Sequence, residues 1–214
     1  MKIAITGAGG YIGRHVITEL LNSGHTVIAA DINTDDVDER ASKLNIDIFS
    51  ADENPYYAMK QPDVLLHLAW RDGFKHNSNA HMGDLSAHYK FLSSMIEGGL
   101  KHLVVMGTMH EIGYHEGAIN DKTLCNPVSM YGIAKDALRR SIFQLTKEKQ
   151  CILQWLRAYY IYGDDLKNNS IFAKLTATSL AGKTTFPFTT GKNKYDFISI
   201  EELAKQISAA TTQS

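Results

Sequence analysis

Cysteine is scarce in this chain: only Cys125 and Cys151 occur among 214 residues. The two show no metal-ligand spacing, and Cys151 opens an apolar strand pattern. Both read as free thiols of a reducing compartment, and no metal site is expected. Charge of one sign is also lacking. The net charge is −1 with no basic run, which argues against nucleic acid as a partner. No apolar stretch approaches the ~20 residues of a membrane-spanning helix, so no membrane is expected either. The first residues already read as a core strand rather than a leader, and the cytoplasm is the expected location. There is no internal repeat, no low-complexity segment and no clear linker. What remains is ordinary for a globular protein: 44% hydrophobic and 21% charged residues, in a length that suits one sizeable domain or one domain plus a small appendage.

The chain is organised around its start. Lys2 to Thr6 is a short apolar strand, Gly7, Gly10 and Gly13 follow at three-residue spacing, and Val16, Ile17, Leu20 and Leu21 trace an apolar helix face. Strand, glycine turn and helix form the context a dinucleotide-binding loop requires. Gly7 permits the tight turn, Gly10 leaves bare backbone for a pyrophosphate, and Gly13 lets helix and strand pack closely. The helix N-terminus offers N–H groups and a partial positive charge to phosphates. An ordinary strand-to-helix turn is the competing reading. A second apolar strand, Thr26 to Ala30, ends in Asp31, 18 residues beyond Gly13. A carboxylate there can accept both ribose hydroxyls of an adenosine and would repel a 2′-phosphate, which favours NAD over NADP.

Strand and helix patterns alternate through most of the chain, which predicts an α/β doubly wound parallel sheet. Asp35 to Lys43 reads as a short polar helix and Ile46 to Phe49 as the third strand. Asp52 then either meets the adenine or caps the next helix. The fourth strand covers Val64 to Ala69, with His67 as a core histidine. Arg71 to His81 reads as a loop at the C-terminal strand edge, where ligands bind in such sheets. A long helix from about Met82 to Gly98, a fifth strand His102 to Met106, a helix Ser129 to Lys149 and a sixth strand Cys151 to Leu156 follow. Beyond Gly163 the pattern weakens to a short helix near Ile171–Leu180, a small strand at Tyr195–Ile198 and a terminal helix from Glu201 to Ala210.

Tyr131-Gly-Ile-Ala-Lys135 is the second informative stretch. Residues four apart share a helix face, which places the Lys135 ammonium near the Tyr131 hydroxyl. A nearby cation lowers a phenol's pKa, and a phenol so tuned can exchange a proton with an alcohol while hydride moves to or from a nicotinamide. The bland alternative is an amphipathic helix residue followed by a solvated charge. Gly107-Thr108, at the end of the fifth strand, lies on the same sheet edge as the glycine loop. A hydroxyl there can hydrogen-bond the reacting oxygen.

With these stretches in place the chain resembles the extended short-chain dehydrogenase/reductase family, in particular its nucleotide-sugar epimerases, dehydratases and 4-ketoreductases. The matching stretches are Thr6 to Gly13, His67-Leu-Ala69, Gly107-Thr108 through Gly113, Pro127 through Lys135, Leu156-Arg157 through Tyr162-Gly163, and Tyr195 to Ala204. The resemblance implies a Rossmann-like domain over residues 1–163 and a reduced substrate-binding segment over 164–214. It implies Tyr131 as acid/base, Lys135 as its partner and a ribose ligand, and Thr108 as the third catalytic group. It places NAD against Gly7, Gly10, Tyr11, Ile12 and Gly13, with Asp31 and Asp52 at the adenosine, the Leu68-Ala69-Trp70 backbone along the cofactor, and Tyr159 beside the nicotinamide. Trp70, Thr108, Glu111 and Tyr160 are the expected substrate contacts.

Three departures bear on the chemistry. Asp84 and Tyr160 stand where the family commonly has asparagines. Met109 and His110 replace the acidic pair of the 4,6-dehydratases, which favours a 4-ketoreductase or epimerase. Ten residues follow Ala204, where family members normally continue into a larger substrate lobe. The expected activity is hydride transfer at C4 of a nucleotide-linked sugar, with a homodimer through the helices at 82–98 and 129–149. A non-catalytic NAD(P)-binding sensor or scaffold, and a reductase of a small ketone or aldehyde, stand as alternatives.

Overall fold

The computed structural model describes residues 1–50, 54–163, 170–192 and 194–213. Its main sheet has six parallel strands in the order β3-β2-β1-β4-β5-β6. These are β1 (Lys2–Thr6), β2 (Thr26–Asp31), β3 (Ser42–Asn45), β4 (Val64–His67), β5 (His102–Thr108) and β6 (Ile152–Ala158). The order reverses at β1, which pairs with β2 on one side and β4 on the other. That switch point opens a crevice at the carboxyl ends of the strands.

Both faces of the sheet are buried, so the strands are apolar almost without interruption. Ile3, Ile5, Val64, Leu66 and Val104 face helices α1 (Tyr11–Asn22) and α7 (Ile200–Thr212), meeting Val16, Ile17, Leu20, Ile200 and Leu203. Ala4, Ile28, Leu65, Leu103 and Val105 face the other way. They pack on α4 (Leu85–Glu97) and α5 (Met130–Lys149) through Leu92, Met95, Leu138 and Ile142. Each such side chain, fully buried, contributes roughly 1.5–3 kcal/mol. The terminal helix α7 is therefore part of the main core. A second, two-stranded sheet pairs β7 (Tyr160–Tyr162) with β8 (Phe197–Ser199) in parallel, and with α6 (Ile171–Leu180) it flanks the crevice. Two short helices, α2 (Pro55–Ala58) and α3 (Ala80–Gly83), and a 3₁₀ turn at Met109–Glu111 complete the described elements.

Three expectations are corrected. Residues 35–41 form turns instead of a helix. The Asp38 carboxylate accepts from both the backbone N–H and the guanidinium of Arg40, a local bond that competes with helix formation. The third strand lies at Ser42–Asn45 and not at Ile46–Phe49. It is a polar edge strand whose register, Ile28 opposite Ser42, is set by β2. The helix expected from Met82 to Gly98 is broken at Asp84, where α3 gives way to α4.

Candidate active site

The glycine loop is held in place by its own backbone. Gly7 has φ +71°, and a Cβ there would sit 2.6 Å from the Ala69 nitrogen. A Cβ on Gly13 would meet the Ala8 carbonyl at 2.7 Å and the Gly7 carbonyl closer still. Any side chain at either position would push the loop off β4 or α1 off the loop. Gly10 caps α1 without a side-chain hydrogen bond, and no acidic residue occupies the first turn. Asp31, at the end of β2, accepts from the Gly9 N–H at 2.9 Å and so faces the loop.

A cleft of about 640 Å³ runs from this loop across the strand ends. Gly7, Gly10, Tyr11, Ile12 and Gly13 line one end. Leu68, Trp70, Thr108, Tyr131, Lys135, Tyr159 and Tyr160 line the rest, with α6 and β8 contributing Ile171, Phe172 and Phe197. His76 and His110, which carry no expected role, also reach the cleft. Asp31, Ala69 and Glu111 do not line it. Ala69 lies beneath the glycine loop, its N–H directed to the Thr6 hydroxyl at 3.5 Å. Asp52 lies outside the described residues.

Tyr131 stands in a collar of rings. His81 lies 5.1 Å away by centroid, His110 5.6 Å, and Trp70 6.2 Å, while His76 is parallel to it at 6.1 Å. Three of its rings come from the segment after β4, and His110 comes from the turn after β5. Trp70 Nε1 donates to His81 Nδ1 at 3.0 Å, and the His76 carbonyl accepts from the Tyr131 backbone N–H at 2.9 Å. Burial holds the Tyr131 phenol above its ordinary pKa. A hydrogen bond with Thr108 opposes this, and the Glu111 charge adds to it.

Lys135 is 1% exposed. Its ammonium donates to the Met106 carbonyl at 2.6 Å and sits 4.2 Å from the centre of the Trp70 ring. Burial pushes it down to about 7, with Glu111 working the other way. The expected tuning of Tyr131 by Lys135 is thus corrected. The ammonium is engaged by β5 and Trp70, and burial sets the direction at the phenol.

Trp70 in turn stacks on His88 at 4.3 Å. His67, on β4, is fully buried between the Thr6 hydroxyl at 2.7 Å and His88 Nδ1 at 3.0 Å. Burial, then His88, then Lys135 hold its pKa well down. It is a satisfied core histidine, as the strand pattern predicts.

Glu111 is also corrected. It is 0% exposed, its Oε1 accepts from the Thr108 backbone N–H at 2.9 Å and Trp155 Nε1 at 3.0 Å, and its Oε2 accepts from Arg157 Nε at 2.8 Å. Glutamate at this place closes a capping box with Thr108 around the 3₁₀ turn Met109–Glu111, so it faces away from the cleft. Asp84, the other departure noted above, forms an ion pair with Arg71. Glu111, Cys125 and Asp136 bring ligand-type atoms within 4.8 Å of one another. The guanidiniums of Arg139 and Arg157 lie against them and supply the positive charge.

The sequence model of the NAD dependent epimerase/dehydratase family matches residues 3–214. The chain is 44% identical over 212 residues to the dTDP-6-deoxy-L-talose 4-dehydrogenase (NAD(+)) of Aggregatibacter actinomycetemcomitans, covering 97% of this chain and 78% of that one. This chain belongs to the NAD-dependent epimerase/dehydratase family. Solved structures of similar fold include a UDP-glucose 4-epimerase from Thermotoga maritima with UDP-glucose. It has a TM-score of 0.87 at 21% identity, over 100% of this chain and 74% of that one. A UDP-glucuronic acid 4-epimerase from Bacillus cereus, in complex with UDP-glucuronic acid and NAD, gives a TM-score of 0.85 at 24% identity, over 100% and 74%.

The cleft fits the cofactor for which the family is named. A Cβ built on Gly10 has only the Gly7 carbonyl, 3.1 Å away, within 4 Å. The outer face of the loop is therefore bare backbone, open to a phosphate at the start of a 12-residue helix. Among the described residues no helix is long and apolar enough to cross a membrane.

Proposed function

We propose that this protein moves hydride between NAD and C4 of a nucleotide-linked 6-deoxy sugar, as a 4-dehydrogenase/4-ketoreductase or a 4-epimerase. The observation that carries this reading is the convergence of Thr108, Tyr131 and Lys135 on one cleft with the glycine loop. The likeness to a dTDP-6-deoxy-L-talose 4-dehydrogenase supports the sugar class and the position. NAD supplies the hydride acceptor or donor. In this reading the loop at Gly7–Gly13 holds its pyrophosphate, Asp31 its adenosine ribose, and Leu68, Trp70, Lys135 and Tyr159 flank its other half. Tyr131 gives the proton to the C4 oxygen in reduction and takes it back in oxidation. Thr108 orients that oxygen through its hydroxyl. Lys135 holds its amine at the cleft floor, bonded to the Met106 carbonyl. Trp70 and Tyr160 are the proposed sugar-side walls.

The test is nicotinamide absorbance with dTDP-4-keto-6-deoxy sugars plus NADH, and with dTDP-6-deoxy sugars plus NAD. Chromatography of products catches an epimerase that regenerates its cofactor. Tyr131→Phe is expected to lower turnover by about 10²–10⁴-fold with NAD affinity kept. Full turnover by Tyr131→Phe would overturn the mechanism. Because the phenol is held above its ordinary value, reduction should run well at neutral pH and oxidation should rise with pH.

A further inference from the structure

Behind the cleft lies a buried charge that the reaction as written does not use. Glu111 touches none of the cleft, yet its carboxylate is bonded to the backbone of Thr108, whose hydroxyl faces Tyr131. We propose that Glu111 is a positioning residue for this site: it fixes the end of β5 under Thr108 and sets the charge environment in which Tyr131 and Lys135 work. This rests on the reading of Tyr131 as the acid/base.

The geometry supports it from each side. Oε1 accepts two N–H groups, from Thr108 and from Trp155 Nε1, so rotation of the carboxylate would break both. Oε2 takes Arg157 from β6 at 2.8 Å, and Arg139 of α5 approaches at 3.9 Å. Arg139 is itself shared with Asp136 at 2.7 Å, and the Cys125 thiol lies 3.2 Å from Arg157. The carboxylate is thus held at full burial by fixed donors, and it cannot reorient toward water. On the cleft side, Tyr131 faces Thr108, Trp70, His76, His81 and His110, and the Lys135 ammonium faces Met106 and Trp70, with His67 and His88 close enough to feel its charge. Burial keeps His110 neutral at about 4. Glu111 is the anion that acts on both working groups, supporting the proton on the phenol and on the ammonium alike. With this charge in place, Tyr131 stands ready as an acid.

The experiment compares the full chain with Glu111→Gln, Glu111→Asp and Glu111→Met, the last a neutral side chain of similar length that stands in should the glutamine variant misfold. The ionisation of Tyr131 is read as the tyrosinate difference absorbance between each protein and its Tyr131→Phe counterpart, which needs no turnover. Glu111→Gln should lower the Tyr131 pKa by about half a unit or more, as expected for loss of one charge several ångström away at an effective dielectric near 20. Glu111→Asp should restore it. The basic limb of kcat/KM for 4-keto sugar reduction should move down with it. An unmoved Tyr131 titration in folded Glu111→Gln, or in Glu111→Met should the first misfold, overturns the proposal. A shifted titration together with full turnover by Tyr131→Phe would instead leave the electrostatics standing and overturn the acid/base reading.

Discussion

Replacing Lys135 by methionine should make the protein more stable at neutral pH. An ordinary lysine holds its proton to 10.5, whereas burial takes this one to about 7. At about 1.4 kcal/mol per pH unit, the folded state carries about 5 kcal/mol against the charged form. Removing the ammonium also leaves the Met106 carbonyl without that donor, an offset of about 1–3 kcal/mol. The expected net gain for Lys135→Met is therefore about 2–4 kcal/mol near pH 7. The sign with pH follows from linkage. Between about 7 and 10.5 the unfolded chain binds a proton that the folded chain does not, so stability of the parent rises with pH. Below 7 both states are charged and the penalty is constant. Across two pH units inside that window the parent should gain about 2–3 kcal/mol relative to the variant. Urea melts of both proteins at several pH values read this directly, and common titrations cancel in the difference. Parallel pH dependences, or a variant less stable than its parent at pH 7, would refute the reasoning. Turnover should fall in the same variant, the pattern of a residue kept for activity at the expense of stability.

Two further outcomes follow from the glycine loop. Gly13→Ala places a Cβ against the Ala8 and Gly7 carbonyls, and should lower stability by about 1–3 kcal/mol and weaken NAD binding. An unchanged Tm and NAD affinity would show that α1 does not need this close approach. Asp31→Asn removes the charge that repels a 2′-phosphate, worth up to roughly 4 kcal/mol at 4 Å and an effective dielectric near 20, so the NAD-to-NADP affinity ratio should fall. Equal ratios in parent and variant would remove Asp31 from the adenosine site.

The parts of the fold legible in the sequence are those with local signals. Val64 to His67 is a continuous apolar run flanked by turns, and the helix at Met130–Lys149 starts at Ser129, whose side chain accepts from the Gly132 N–H. The third strand was misplaced because its assignment is non-local. Ser42–Asn45 has little apolar character, and pairing with β2 selects it over Ile46–Phe49. β7 carries no local signal for the same reason, since Tyr160–Tyr162 pairs with residues 197–199. At the site, i,i+4 spacing correctly puts Tyr131 and Lys135 on one cleft. It carries no information on the partner of the ammonium, the Met106 carbonyl 29 residues earlier. His76 and His81 were visible as polar residues of an edge loop, but only the folded chain shows them ringing Tyr131. Glu111 three residues after Thr108 is the spacing of a capping box, a signal that would have turned it inward.

The segment after β4 is stitched to the first turn of α5 by two bonds. The Tyr131 N–H donates to the His76 carbonyl, and the Met130 N–H to the Asn77 side chain at 3.3 Å. These contacts close a loop of more than fifty residues that includes α4 and β5. Loop closure of this length comes after local hairpin and helix contacts in a folding chain. Its span is close to that of the β1–β4 pairing, Ile3 opposite Val64, so the ring collar around Tyr131 and the parallel sheet are both products of long-range closure. By the loop-closure argument, helices can return in a refolding chain before either is in place, and activity then reports the long-range contacts rather than the appearance of helices.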